Sequence, residues 1–242
     1  MSGAALVVDT ITVEFGSFRA IDNLSLAIDF GEVRAVIGPN GAGKTTLLDV
    51  ISGITRPKLG RVIFGESSDL VRQSESEIAA AGVRRKFQKP SIFEGLDVRQ
   101  HLVIGAQGGL KPKLKGSALD ARVDEMLDTV GLSDLAGRPA SELAHGQKQW
   151  LEIGMVLASN PSVLMLDEPV AGLTDEETER TAALVRALRR DDRAIIVVEH
   201  DMDFVERIAD RVTVLHEGKT LFEGSMANAK ADVRVKDVYL GR

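Results

Sequence analysis

The stretch Gly38-Pro39-Asn40-Gly41-Ala42-Gly43-Lys44-Thr45-Thr46 leaves this chain few folds to choose from, because of what stands on either side of it. Val33-Arg34-Ala35-Val36-Ile37 reads as a buried strand, and Leu47-Leu48-Asp49-Val50-Ile51-Ser52 continues as a short helix that stops at Gly53. A glycine-rich turn between such a strand and such a helix is the setting of a phosphate-binding loop. Gly38, Gly41 and Gly43 let the backbone turn its N–H groups inward around phosphate oxygens, and the helix opening near Lys44 adds its positive dipole end. Lys44 is expected to reach the β- and γ-phosphates of a nucleotide, and the Thr45 hydroxyl to ligate Mg²⁺.

The rest of the pattern supplies an α/β frame for that loop. Ile11, Val13 and Phe15, then Leu24, Leu26 and Ile28, alternate with polar residues and predict half-buried antiparallel strands. Val33–Ile37, Val163–Leu166 and Ala194–Val198 lack that alternation, as strands of a mostly parallel sheet covered on both faces do. Leu119, Val123, Met126, Leu127 and Val130 are spaced for an amphipathic helix, with a loose tract from Gly108 to Gly116 before it, so residues 93 to 140 read as a helical insertion. A further helix is expected over Glu179–Arg190 with Ala183, Leu184 and Leu188 inward. RVTVL and KTLFEG read as a strand pair turning at Glu217-Gly218, followed by a weakly patterned tail from Ser225 to Arg242.

Charge and composition narrow the partners. The net charge is −6 and there is no long Lys/Arg block, which argues against duplex nucleic acid as a direct partner. With no cysteine, disulfides and thiolate metal sites are excluded and the redox compartment is left open. No uninterrupted apolar run approaches the ~18 residues of a membrane span and no basic n-region opens the chain, so it is expected neither to export itself nor to cross a bilayer, though it can dock on something that does.

A second nucleotide signal lies in VLMLDEP, Val163 to Pro169, where an apolar strand ends in two adjacent carboxylates. Beside a phosphate loop, Asp167 is placed to orient a metal or its water shell and Glu168 to polarise an attacking water. Upstream, Leu143-Ala144-His145-Gly146-Gln147 resembles the LSGGQ signature of ABC-type ATPases. The other marks follow in that family's order: Phe15 at the adenine-stacking position, Gln88 in FQKPSIFEGLDV at the Q-loop, Ala171–Thr174 at the D-loop, and His200 in VVEHDM at the switch histidine. Taken singly, Gln88 reads as a surface amide, Phe15 as a core residue and His200 as a strand-end histidine; Glu199 and Asp201 read as solvated charges or local caps.

The resemblance implies a P-loop NTPase with a RecA-like core over 31–88 and 141–224, an N-terminal antiparallel β region over 1–30, an inserted helical subdomain over 89–140 and a tail over 225–242. It implies ATP and Mg²⁺ as ligands: Phe15, Gly38 to Thr46, Ala144, His145, Gly146 and Gln147 around the nucleotide, Thr45, Gln88 and Asp167 at the metal, and Glu168, His200 and Gln88 in catalysis. It also implies a second cassette, self or paralogue, packed head to tail so that the signature helix of one faces the ATP of the other. Membrane-spanning permease subunits complete the assembly at the cytoplasmic face, received by the residues from about Gln88 through the helical insertion, and the motor never touches the solute. Two departures stand out: the signature serine is Ala144 and the following glycine His145, and the aspartate that closes the D-loop is Thr174, followed by Asp175. The arginine common past the signature is Trp150, and HGQKQWLEIGM with DEPVAGLTDEE looks like the urea-type branch of the branched-chain amino acid importer ATPases. Urea is the expected solute and branched-chain amino acids the alternative; soluble ABC ATPases of translation or DNA repair usually carry two cassettes or a long coiled coil, which this chain lacks.

Overall fold

In the computed structural model, which describes residues 3–88, 92–108 and 113–240, the two-periodic N-terminal segments become β1 (Ala4–Phe15) and β2 (Phe18–Asp29). They pair antiparallel, from Ala4 opposite Asp29 to Phe15 opposite Phe18. β3 (Val33–Ile37) leaves this sheet for a second one, and α1 (Lys44–Ile51) follows it. The chain then returns to the first sheet with β4 (Leu59–Phe64) and β5 (Ser68–Asp69), completing the order β2-β1-β4-β5. The sequence placed residues 31–88 in the core as one block. The return went unread because LGRVIF exposes Leu59, Gly60 and Arg61 and fully buries only Val62, so it carries little periodicity. α2 (Glu75–Ala81), started by a capping box between Ser74 and Glu77, leads into β6 (Val83–Lys86).

The helical insertion consists of α3 (Val98–Gln107) and α4 (Ser117–Val130), and α5 (His145–Ala158) packs against both. A Cβ on Gly105 would stand 2.3 Å from the Met155 carbonyl oxygen, so α3 crosses α5 closer than any other residue allows. Residues 109–112 of the expected loose tract, and Lys89, Pro90 and Ser91 of the FQKPSIF string, lie outside the described residues.

β7 (Val163–Asp167), α6 (Asp175–Ala187), β8 (Ala194–Val198), α7 (Met202–Ile208), β9 (Arg211–His216) and β10 (Lys219–Gly224) complete the second sheet and its cover. Its order is β10-β9-β3-β8-β7-β6, with β9 through β6 parallel and β10 antiparallel at the edge. Glu217 and Gly218 turn that hairpin at φ 47° and 75°, the two left-handed residues a tight hairpin favours. The missing alternation in the central strands has a direct cause: Ile195 and Val197 face the helices while Ala194, Ile196 and Val198 face α1 and the first sheet, and every one is buried.

Two expectations are corrected. The helix expected over Glu179–Arg190 is α6, four residues earlier at its start, because Thr174 and Glu177 form a capping box that opens it at Asp175. Ala183 consequently faces solvent, and Ala182, Leu184 and Val185 face inward. The weakly patterned tail, for which no element was expected, forms α8 (Met226–Ala231) and α9 (Val233–Leu240), whose Met226, Ala229 and Val235 bury against Ile37, Val205, Val212 and Val214. Among the described residues no helix is long and apolar enough to cross a membrane.

Candidate nucleotide site

The carboxyl ends of β3, β8, β7 and β6 lie side by side, which gathers side chains from four distant parts of the chain. The loop after β3 depends on Gly38 at φ 151°, where a Cβ would meet the Leu215 carbonyl oxygen at 2.2 Å. Gly43 is the N-cap of α1, with no side-chain cap bond and no acidic residue in the first turn. Among the described residues no side-chain cap claims the first N–H groups of α1, which leaves that helix start free to meet an anion. Lys44 is buried, and its Nζ donates to the Gly38 and Pro39 carbonyl oxygens at 2.7 and 3.0 Å. Burial lowers its pKa, and the Glu168, Asp167 and Glu199 carboxylates oppose that drop.

At the end of β7, Asp167 is buried and Glu168 turns into the left-handed region at φ 46°. Its backbone N–H donates to Val198 at 2.9 Å, which pins the strand end and aims the carboxylate outward. Gln88 Nε2 donates to Glu168 Oε2 at 2.6 Å, and His200 Nδ1 lies 3.9 Å from Glu168 Oε1. The three expected catalytic side chains thus meet around one carboxylate. Phe15, Phe18, Ala20, Asn40 to Thr46, Gln88 and Glu168 line a single cleft of about 360 Å³. Phe15 is 53% exposed and Phe18 62%, so both aromatic faces are available at its mouth.

The signature residues stand elsewhere. None of Ala144, His145, Gly146 and Gln147 lines that cleft. Ala144 is the N-cap of α5, with no side-chain oxygen for the first turn, Gln147 Oε1 accepts the Ala144 N–H at 3.0 Å, and His145 Nε2 is hydrogen-bonded to the Ala171 carbonyl oxygen at 3.1 Å. Thr174, at the end of the D-loop, is occupied as the cap of α6. Trp150 is buried between helices: its Nε1 donates to Thr181 Oγ1 at 3.0 Å, and the Arg180 guanidinium lies 3.8 Å from its ring centre while donating to the Val130 and Gly131 carbonyls.

Three features were missed in the sequence. Glu199, expected as a solvated charge or local cap, is fully buried; it accepts the Val170 and His200 N–H groups at 3.1 and 3.0 Å, and burial raises its pKa. The uninterrupted apolar run before it was the available clue. Phe18, beside Phe15 across the β1–β2 turn, joins the cleft mouth. Arg85 joins Asp49 of α1 to Asp167 of β7, a contact between three distant segments that no local pattern signals.

The residues fit a nucleotide with Mg²⁺. Thr45 presents an exposed hydroxyl beside the open end of α1, and the carboxyl end of β7 supplies Asp167. Among the described residues no cluster of three or more His, Asp or Glu could hold a cation alone; Mg²⁺ shared between phosphate oxygens, waters and one or two protein groups needs none.

Residues 21–171 match the family model described as ABC transporter. The chain is 34% identical to the high-affinity branched-chain amino acid transport ATP-binding protein LivG of Salmonella typhimurium, over 100% of this chain and 99% of that one. It is 32% identical to the high-affinity branched-chain amino acid transport ATP-binding protein BraF of Pseudomonas aeruginosa, over 100% and 99%. Among solved structures, an ATP-binding cassette of an ABC transporter in its ADP conformation superposes with a TM-score of 0.87 at 31% identity, covering 100% of both chains.

Proposed function

This chain belongs to the ABC transporter family of ATP-binding proteins and is an ATPase, and from that premise we propose that it is the motor subunit of an importer for branched-chain amino acids. LivG and BraF, which it resembles from end to end, carry that solute in their names. The observation that carries the chemistry is the 2.6 Å contact of Gln88 with Glu168 at the edge of the phosphate-loop cleft. Glu168 takes the proton of the attacking water, Gln88 and His200 hold that water and the Glu168 carboxylate in line, and Lys44 with the first turn of α1 binds the phosphates. Thr45 and Asp167, with Gln88, would hold Mg²⁺, which when bound draws charge from the phosphate oxygens.

The signature residues lie outside the chain's own cleft, which supports a second cassette presenting its α5 N-terminus to this ATP. Membrane-spanning permease subunits at the cytoplasmic face would receive the surface from Gln88 through α3 and α4. The string HGQKQWLEIGM favours urea as the second reading, but it resides in a subunit that never meets the solute. Deleting the gene and measuring uptake of trace labelled leucine and urea separates the two. Lost leucine uptake with urea spared is the expected result; the reverse moves the protein to the urea branch, and loss of neither removes it from this importer group.

A further inference from the structure

Arg85 is a buried, carboxylate-paired cation near the site that the ATPase chemistry has not yet used, and among the described residues its Nε is buried without a partner. It sits at the penultimate position of β6 with its side chain only 4% exposed. Nη1 donates to Asp49 Oδ1 at 2.5 Å and Nη2 to Asp167 Oδ2 at 2.6 Å. The Phe87 ring lies 4.8 Å from the guanidinium carbon, so charge, fork and stacking fix the group at once. A buried arginine with two short carboxylate contacts is costly to disturb, because removing it leaves an uncompensated buried charge.

The three elements it joins are those whose relative placement the site needs. Asp49 belongs to α1, which carries Lys44 and Thr45 at its opposite end. Asp167 ends β7 directly before Glu168. Arg85 itself stands three residues before Gln88, which reaches Glu168. From one short stretch, therefore, Arg85 holds the first carboxylate of the Asp-Glu pair and Gln88 holds the second. One arm of the Arg85 guanidinium takes Oδ2 of Asp167 and the other takes Asp49, so Oδ1 of Asp167 is not engaged by Arg85.

We propose that Arg85 is a positioning residue for Mg²⁺: it orients Asp167 toward the metal and locks the phosphate-loop helix to the strand that carries Gln88. The proposal rests on the assignment of Asp167 to the metal, so the test is built to tell the two apart. Affinity of the full chain for ADP is measured by a fluorescent ADP analogue, with Mg²⁺ and with the metal chelated, and the ratio of the two affinities is the readout. Arg85→Met is expected to lower that ratio by about tenfold, the size found for partners of metal ligands, with metal-free ADP binding weakened less than binding in the presence of Mg²⁺. Arg85→Gln, which keeps a polar head in the buried position, is expected to do the same and serves if the methionine variant does not fold. Asp167→Asn is expected to lower the ratio by itself, and adding Arg85→Met to it should lower it no further. If Asp167→Asn leaves the ratio unchanged, the metal assignment fails. If Asp167→Asn lowers it but both folded Arg85 variants keep the wild-type ratio, or lose thermal stability alone, the positioning role fails and Arg85 is a structural brace.

Discussion

Glu168 shows how a single backbone angle decides what a side chain can do. At φ 46° it costs on the order of 1 kcal/mol relative to extended backbone, and the outlay is sustained by the Val198 carbonyl on one side and Gln88 on the other. Glu168→Gln keeps the shape and removes the proposed base, so turnover is expected to fall about 100-fold or more while ATP binding persists. Phosphate release set against nucleotide binding checks this, and near-normal turnover would take the general base away from Glu168. At this scale the sequence was readable where position is local: Lys44, Thr45, Asp167 and Glu168 each sit in a short string that follows a buried strand, and the fold brings the ends of those strands together. Arg85 and Glu199 were not, because their roles come from residues 29 to 82 positions away. A buried cation and a surface cation look alike in one dimension.

Elements were readable in proportion to how far burial repeats along them. β3, β7 and β8 are buried at every position, and their apolar runs announced them. β4 shows water three of its six residues, and α8 and α9 are six and eight residues long, so tertiary packing rather than pattern makes them. The start of α6 was written in Thr174-Asp175-Glu176-Glu177, a capping box that the apolar periodicity downstream obscured. Trp150 belongs to this scale, since it joins α5, α6 and the carboxyl end of α4. Trp150→Phe retains the ring under Arg180 and loses the bond to Thr181, for an expected loss of about 1 kcal/mol. Trp150→Ala also opens a cavity and should lose about 3–5 kcal/mol in urea denaturation. Equal losses for the two would show that the ring contributes nothing to the junction.

For the whole molecule, the cleft carries the phosphate loop, Gln88 and Glu168 but none of the signature residues. The isolated chain is therefore expected to be monomeric and slow, and to pair when Glu168→Gln holds MgATP unhydrolysed. Light scattering with and without MgATP reads this directly, and a stable dimer in the absence of nucleotide would show that surfaces other than the composite site hold the cassettes together. The strand order has a different outcome, in the making of the protein. β8, residues 194–198, lies between β3 and β7 in the sheet, so the two strands that carry the phosphate loop and the carboxylate pair have no direct edge in common. A ribosome must deliver residue 198 before they can be joined, and until then the edges of β3 and β7 that face β8 wait unpaired. Non-local pairing of this kind is slow and exposes strand edges to other chains. Chaperone protection during synthesis therefore matters most for the interval between β7 and β8, and the nucleotide site is completed only once β8 has been made.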